Sequence, residues 1–345
     1  MKKLLFGVGV SVLMAGSAIA QDVHFTQYFT SPLTLNPAMT GLVTEDLRFA
    51  ANYRTQWNSV SPNPYITGTA SFDVAMLKNR LPEGDALGAG LMVLYDKSGT
   101  GGLTNTTAGL SLAYHKAFGF DRLQHISMGI QAYYVQKSLD FAKLTFEDMN
   151  VPGVGLVNPT HENFPKTQIG YSDINGGLMY SGKIADHSTA YIGYSYYHMT
   201  SPVETFLSDN HPIHARHTGY LGGSFDMNEN TVLYASALYQ SQASASEVVI
   251  GAAVGFVLNP GHDEEYQKNT IFYLGGWYRY GDAVAPYIGI EWSKVRFGVS
   301  YDVNVSSFTP ATGGAGAYEI SIIYLGRINR HEKNPNYNWS CPKVF

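Results

Sequence analysis

From residue 46 onward, apolar and polar positions alternate with period two in one segment after another. Residues 294–306 show it most cleanly. Val295, Phe297, Val299, Tyr301, Val303 and Val305 share one face, and Arg296, Gly298, Ser300, Asp302, Asn304 and Ser306 share the other. Successive side chains of a strand point to opposite sides, so one face suits lipid and the other a polar interior. In residues 124–137, Ile126, Met128, Ile130, Ala132 and Tyr134 oppose Ser127, Gly129, Gln131 and Tyr133. In residues 104–116, Ala108, Leu110, Leu112 and Tyr114 oppose Asn105, Thr107, Gly109, Ser111 and His115. The small inward residues leave room in a crowded lumen.

About fourteen such segments are predicted, near 46–57, 65–77, 85–97, 103–118, 124–139, 168–182, 188–200, 216–227, 230–241, 246–258, 269–281, 284–292, 294–305 and 315–326. Each is long enough to cross a bilayer as a tilted strand. The fold class is therefore all-β: a transmembrane antiparallel up-and-down barrel. An even strand number puts both barrel ends on one side. With that side periplasmic, Gly119–Leu123, Lys183–His187, Asp226–Asn230 and Ser293–Lys294 are tight periplasmic turns. Phe141–Thr167, Ser201–Ala215 and Ser306–Gly314 are long surface loops, the asymmetry expected of bacterial barrels. Asn259–Lys268 is long for a periplasmic turn, and Gly281–Ala283 is short for a surface loop.

Composition agrees. The chain has 36 Gly and 25 Tyr among 345 residues, and only 14% of them are charged. A soluble domain usually carries nearer a quarter. The mean hydropathy of −0.11 is too low for a helical membrane protein, and no apolar run beyond residue 20 reaches the length of a spanning helix. Residues 1–20 read as a secretory signal: Lys2-Lys3, an apolar run from Leu4 to Met14, and a small-x-small cleavage site at Ala18-Ile19-Ala20. The mature chain would begin at Gln21. Without Lys2 and Lys3, 20 of the 22 basic residues remain against 27 acidic ones, a formal charge of −7. That balance offers nothing to a nucleic-acid backbone. The lone Cys341 has no partner for an internal disulfide.

Tyr191, Tyr194, Tyr196 and Tyr197 crowd one segment, and Trp277, Tyr278 and Tyr280 end another. Such residues favour the headgroup boundary and are expected to form aromatic girdles. Parity sends Arg48, Arg54, Asp73, Arg279, Glu291, Arg296, Asp302 and Glu319 into the lumen. An open selective pore tends to show one sign of charge. Four basic and four acidic residues fit an occluded interior, in which these side chains pair with one another or with a polypeptide segment. The segment 21–45 precedes the first strand, lacks alternation, and contains Pro32, Pro37 and Gly41. The tail 327–345 follows the last strand. One of the two is expected to enter the lumen from the periplasmic side.

The first of these segments carries a resemblance. Asp22, His24-Phe25, Gln27-Tyr28 and Leu35-Asn36-Pro37-Ala38 with Gly41 resemble the opening of the PorP/SprF family of type IX secretion membrane proteins. The likeness continues at Tyr53-Arg54-x-Gln56-Trp57, at Gly275-Gly276-Trp277-Tyr278-Arg279, and at Gly298-Val299-Ser300-Tyr301-Asp302-Val303-Asn304. It ends at Gly313-Gly314, Tyr318-Glu319-Ile320-Ser321 and Cys341-Pro342 before Phe345. Thr26 stands where the family usually has Ser, and Lys343-Val344 depart from its usual basic residue directly before the final Phe. The resemblance implies an outer-membrane barrel of Bacteroidota that serves large secreted proteins with a C-terminal sorting domain, gliding adhesins among them. It also implies association with other type IX components or peptidoglycan-linked periplasmic proteins.

Enzyme chemistry finds little purchase. In His211-Pro-Ile-His214-Ala-Arg-His217, an extended backbone turns His214 away from the other two, and the only acid close by is Asp209; a solvated loop is the better reading than a metal site. Asp263-Glu264-Glu265 reads as a solvated turn. Asn259-Pro-Gly-His and Gly313-Gly314-Ala-Gly316 open no helix after a buried parallel strand, so they read as turns and not phosphate cradles. No nucleophile-base arrangement stands out. The expected function is non-enzymatic and cofactor-free: binding a secreted partner and helping to export or anchor it at the surface. A channel for small or hydrophobic solutes is the alternative.

Overall fold

A computed structural model of the chain describes residues 22–58, 60–78, 80–162, 166–206, 211–258, 270–307 and 309–328. The expected signal at 1–20, Asp209, the Asp263-Glu264-Glu265 turn, Asn259-Pro-Gly-His, and Cys341 with most of the tail lie outside these residues.

The strands are β1 (Leu47–Gln56), β2 (Tyr65–Met76), β3 (Ala86–Ser98), β4 (Leu103–Phe118), β5 (Gln124–Ser138), β6 (Asn150–Val151), β7 (Gly155–Leu156), β8 (Gln168–Ala185), β9 (Ser188–Tyr197), β10 (Arg216–Asn228), β11 (Thr231–Gln242), β12 (Ala245–Val257), β13 (Thr270–Arg279), β14 (Ala283–Trp292), β15 (Val295–Asn304) and β16 (Ala315–Gly326). β6 and β7 make a small ribbon of their own. The other fourteen close into one antiparallel barrel in sequence order. The closing pair is β1 against β16, in register from Leu47↔Gly326 to Gln56↔Ala317. Every barrel strand overlaps its predicted segment.

Alternation sets the wall. Along β5 every second residue from His125 to Val135 is buried, and those between are exposed. Leu110, Met128, Ile130, Ile250 and Ile288 stand among the most exposed apolar side chains; on a barrel of this kind they form the lipid-facing band. Tight connections join β8 to β9, β10 to β11 and β14 to β15 at one rim, whereas the connections from β5 to β8 and from β9 to β10, at the opposite rim, are long. The short-turn rim is the periplasmic one. The connection Gly281–Ala283 is indeed tight, because β13 and β14 leave only residues 280–282 between them.

The aromatic girdle needs correction. Tyr194, Tyr278 and Tyr280 are exposed on the outer wall, but Tyr191, Tyr197 and Trp277 are buried inside. Their parity places them there: Trp277 shares a face with Arg279, and Tyr191 and Tyr197 share one with Ser195.

Candidate functional site

The lumen is filled by the chain's own residues 22–46. This segment has little room for regular structure. Three short helical turns, Tyr28–Thr30, Pro32–Leu35 and Pro37–Met39, fold it back on itself. Pro32 and Pro37 each stand at the first position of a turn, where the missing N–H is not needed. Most of the segment's side chains are buried, with Gln27, Asn36, Ala38 and Thr40 at 0% exposure. An irregular backbone at membrane depth is tolerated only where protein surrounds it and satisfies its polar groups. The wall does this with polar side chains.

Toward the outer end of the lumen, Glu319 accepts the backbone N–H of Thr26 at 2.6 Å and that of Gln27 at 2.9 Å. Glu319 also pairs with Arg54. Arg54 reaches Asp302 at 2.9 Å, and Arg279 reaches the same carboxylate at 3.2 Å. Thr26 Oγ1 donates to Asp302 at 2.9 Å. Ionised acceptors and guanidinium forks make the stronger class of hydrogen bond, and here they converge on two successive residues of the plug.

Asn36 and its neighbours form a second anchor. The Asn36 side chain accepts from Ala38 N–H at 2.8 Å and donates to the carbonyls of Leu178 and Tyr194 at 3.0 and 3.2 Å. The wall makes room with glycines. A Cβ on Gly129 would fall 2.3 Å from the Pro37 carbonyl carbon, and one on Gly88 would fall 1.8 Å from the Thr40 carbonyl oxygen. Ser195 and Gln131 donate to the carbonyls of Leu35 and Leu33.

A third anchor lies at the periplasmic end. Asp73 accepts from Gly41 N–H at 2.7 Å and is held by two bonds from Arg48 at 3.0 and 2.8 Å. Arg48 also donates to the Met39 carbonyl at 2.9 Å. His115 Nε2 donates to the Thr40 carbonyl at 2.8 Å, with its Nδ1 accepting from Ser127 at 2.7 Å.

Apolar packing completes the seal. Phe29 stacks on Trp277 with centroids 4.7 Å apart and meets the edge of Tyr287 at 5.8 Å. Tyr28 donates to Ser236 at 2.7 Å. Burying a side chain of this size contributes about 1.5–3 kcal/mol.

At the outer end the segment is latched by its first described residue. Asp22 pairs with Arg216 at 3.0 Å and with His198 at 2.8 Å, and exchanges bonds with Gln242 at 2.8 and 3.2 Å. His198 in turn contacts Asp173 at 2.7 Å. The Arg216 guanidinium lies 3.9 Å over the Tyr197 ring. Burial works against a charged His198, but Asp173 and Asp22 outweigh it and raise the imidazole to about 9. Burial likewise opposes a charged Asp22, yet Arg216 and His198 hold its carboxyl well below the usual range. Glu247 favours a charged His24, but burial and the guanidiniums of Arg279 and Arg54 prevail and hold it down at about 4.

Above this latch opens a vestibule of about 680 Å³. Its floor is Asp22, Val23 and His24, and Met92, Leu94 and Val135 form an apolar part of its wall. Lys137 and Glu204 pair across its rim at 2.6 Å.

All eight lumenal charges expected from parity point inward, and each pairs with another of the eight. Six form the contacts described above, and Arg296 pairs with Glu291 at 2.6 Å. Asn36, Pro37, Ala38 and Gly41 lie in the plug, and Trp277 packs against it. Trp57 ends β1, its ring edge-on to Tyr65 at 5.1 Å. Tyr301 faces outward and does not join the others. Within the His211–His217 stretch, Arg216 points in to the latch and His217 points out beside Tyr194.

A family model for the type IX secretion system membrane protein PorP/SprF matches residues 17–324. The chain belongs to this family. The plug is thus the PorP/SprF opening motif folded into its own barrel. No curated protein matches the chain. Among solved structures, this PorP/SprF chain is similar to the toluene transporter TodX of P. putida, at 11% identity and a TM-score of 0.49, over 86% of this chain and 93% of that one. It is also similar to the Ralstonia pickettii toluene transporter TbuX, at 13% identity and 0.48, over 87% and 94%. A third is the CymD monoaromatic hydrocarbon channel, at 12% and 0.47, over 87% and 94%.

Asp173, His198, Arg216 and Gln242 escaped the sequence reading, and Asp22 entered it only through the family resemblance. Arg216 and Asp173 sit at inward parity near strand ends, which was the available signal. His198 lies just past β9, where parity no longer applies.

Proposed function

We propose that this PorP/SprF barrel is a closed outer-membrane platform that binds a large secreted partner at its outer face and helps to export or anchor it. The observation that carries the proposal is the seated segment 22–46, whose backbone is bonded to the wall at Glu319, Asp73, His115 and Ser195. Those bonds leave a solute no ready route through the lumen. What remains open outward is the vestibule, with Glu204, His211 and His214 from the connection after β9 in its lining.

Membership in the family supports a partner of type IX secretion, a large protein with a C-terminal sorting domain. The same membership supports a periplasmic link to peptidoglycan-bound components. A pull-down from detergent-solubilised outer membrane tests both. Recovery of a large surface protein with a periplasmic anchor is the expected result. Isolation of the barrel alone, with steady ion conductance in planar bilayers, would reverse the proposal in favour of a channel.

A further inference from the structure

We infer that the leading residues of the plug, Asp22 to His24, face the cell exterior although both ends of the barrel are periplasmic.

The direction of the plug requires it. Asp22 is fixed by Gln242 at the end of β11, by Arg216 at the start of β10 and by His198 just past β9. These three positions lie at the rim carrying the long loops. The other end of the segment leaves by the opposite rim. Asp46 N–H donates to the Gly326 carbonyl at 3.0 Å, and Ala75 N–H donates to the Asp46 carbonyl at 2.8 Å. Glu45 meets Arg327, and Lys78 holds Asp46 at 3.2 Å. Residues 22–46 therefore run the full height of the lumen, from outside to periplasm.

The lumen is tight where the plug crosses it, as the glycine contacts at Gly88, Gly129 and Gly177 show. The vestibule floor that an outside partner meets is then the leading end of the chain's own plug.

The test is the sidedness of an epitope inserted between Gln21 and Asp22, which leaves the Ala18-Ile19-Ala20 junction intact. Antibody labelling of intact cells is expected to match labelling of permeabilised cells within twofold. Labelling that appears only after permeabilisation, on a barrel that still migrates as the folded form, overturns the inference. Should the insertion prevent folding, Val23→Cys in a Cys341→Ser background replaces it, probed with a membrane-impermeant maleimide. Ser293→Cys, in the turn between β14 and β15, is the periplasmic control. Val23→Cys is expected to react in intact cells and Ser293→Cys only after permeabilisation. Reaction of Val23→Cys solely in permeabilised cells overturns the inference. None of these outcomes depends on the secreted partner, so they separate from the pull-down.

Discussion

A Cβ built on Gly177 would lie 1.8 Å from Oδ1 of Asn36. The wall residue has to be glycine because the plug residue is pinned. Asn36 is held by Ala38 N–H on one side and by the Leu178 and Tyr194 carbonyls on the other, so it has no room to retreat. Gly177→Ala is expected to destabilise the barrel by about 1–3 kcal/mol through overpacking. Asn36→Ala is expected to remove about 1–3 kcal/mol by leaving buried groups short of partners. The double variant should lose less than the sum, since the clash and the anchor are one contact. The midpoint of heat-induced unfolding in detergent reports all three; strict additivity would show that the two residues do not interact.

Glu319 and Arg54 anchor Thr26 and Gln27, and both are nearly fully buried. Glu319→Ala strands the Arg54 guanidinium and the N–H groups of Thr26 and Gln27. Breaking a buried pair on one side costs about 3–5 kcal/mol, with Asp302 reducing the loss by keeping its own contact to Arg54. Denaturant midpoints are the measure, and a loss below about 1 kcal/mol would count against the anchor.

The outer latch depends on pH. His198 in the folded chain titrates at about 9, above its ordinary 6.5. Its contribution is complete below about 6.5 and fades as pH rises through 9. Asp22 is shifted the other way: its contribution is present above its ordinary range and is lost only in strong acid. The latch is therefore fully formed near neutrality and loosens in base. The difference in unfolding midpoint between the natural chain and His198→Asn should be largest near pH 6 and shrink by pH 10. A difference that does not change with pH would contradict the ion-pair account.

The seal can be measured electrically. The whole chain is expected to give no steady conductance in planar bilayers. A variant lacking residues 23–42, first checked for folded-barrel migration, is expected to open a pore. Equal conductance from both would mean that the plug does not block ions.

Phe29 bridges plug and wall by stacking on Trp277. Phe29→Ala should cost about 3–5 kcal/mol if the cavity stays open. Thermal unfolding followed by tryptophan fluorescence reports both the loss and the changed surroundings of Trp277. An unmoved midpoint would place the stability of the seal in its polar anchors alone.

Local pattern determined the barrel. A strand turns every second side chain to the same side whatever its neighbours are, so Val295 through Ser306 disclosed lipid and lumen faces without any knowledge of contacts. The same parity sent all eight charges from Arg48 to Glu319 inward, and it would have placed Trp277 inside had it been weighed above the aromatic preference for headgroups. Pairing was not legible, because Arg54 meets Glu319 across 265 positions of chain and only barrel closure brings β1 beside β16. The plug was still less legible. Its residues have no sustained period, since its turns are only three or four residues long and wall side chains take other backbone groups, and nothing local to Asp22 foretells Arg216 or His198. The sequence by itself determined a lipid-facing barrel with a balanced interior. Only the tertiary structure decided that residues 22–46 fill that interior, running from the outer mouth to the periplasmic rim, because the anchors exist only once the wall has closed around them.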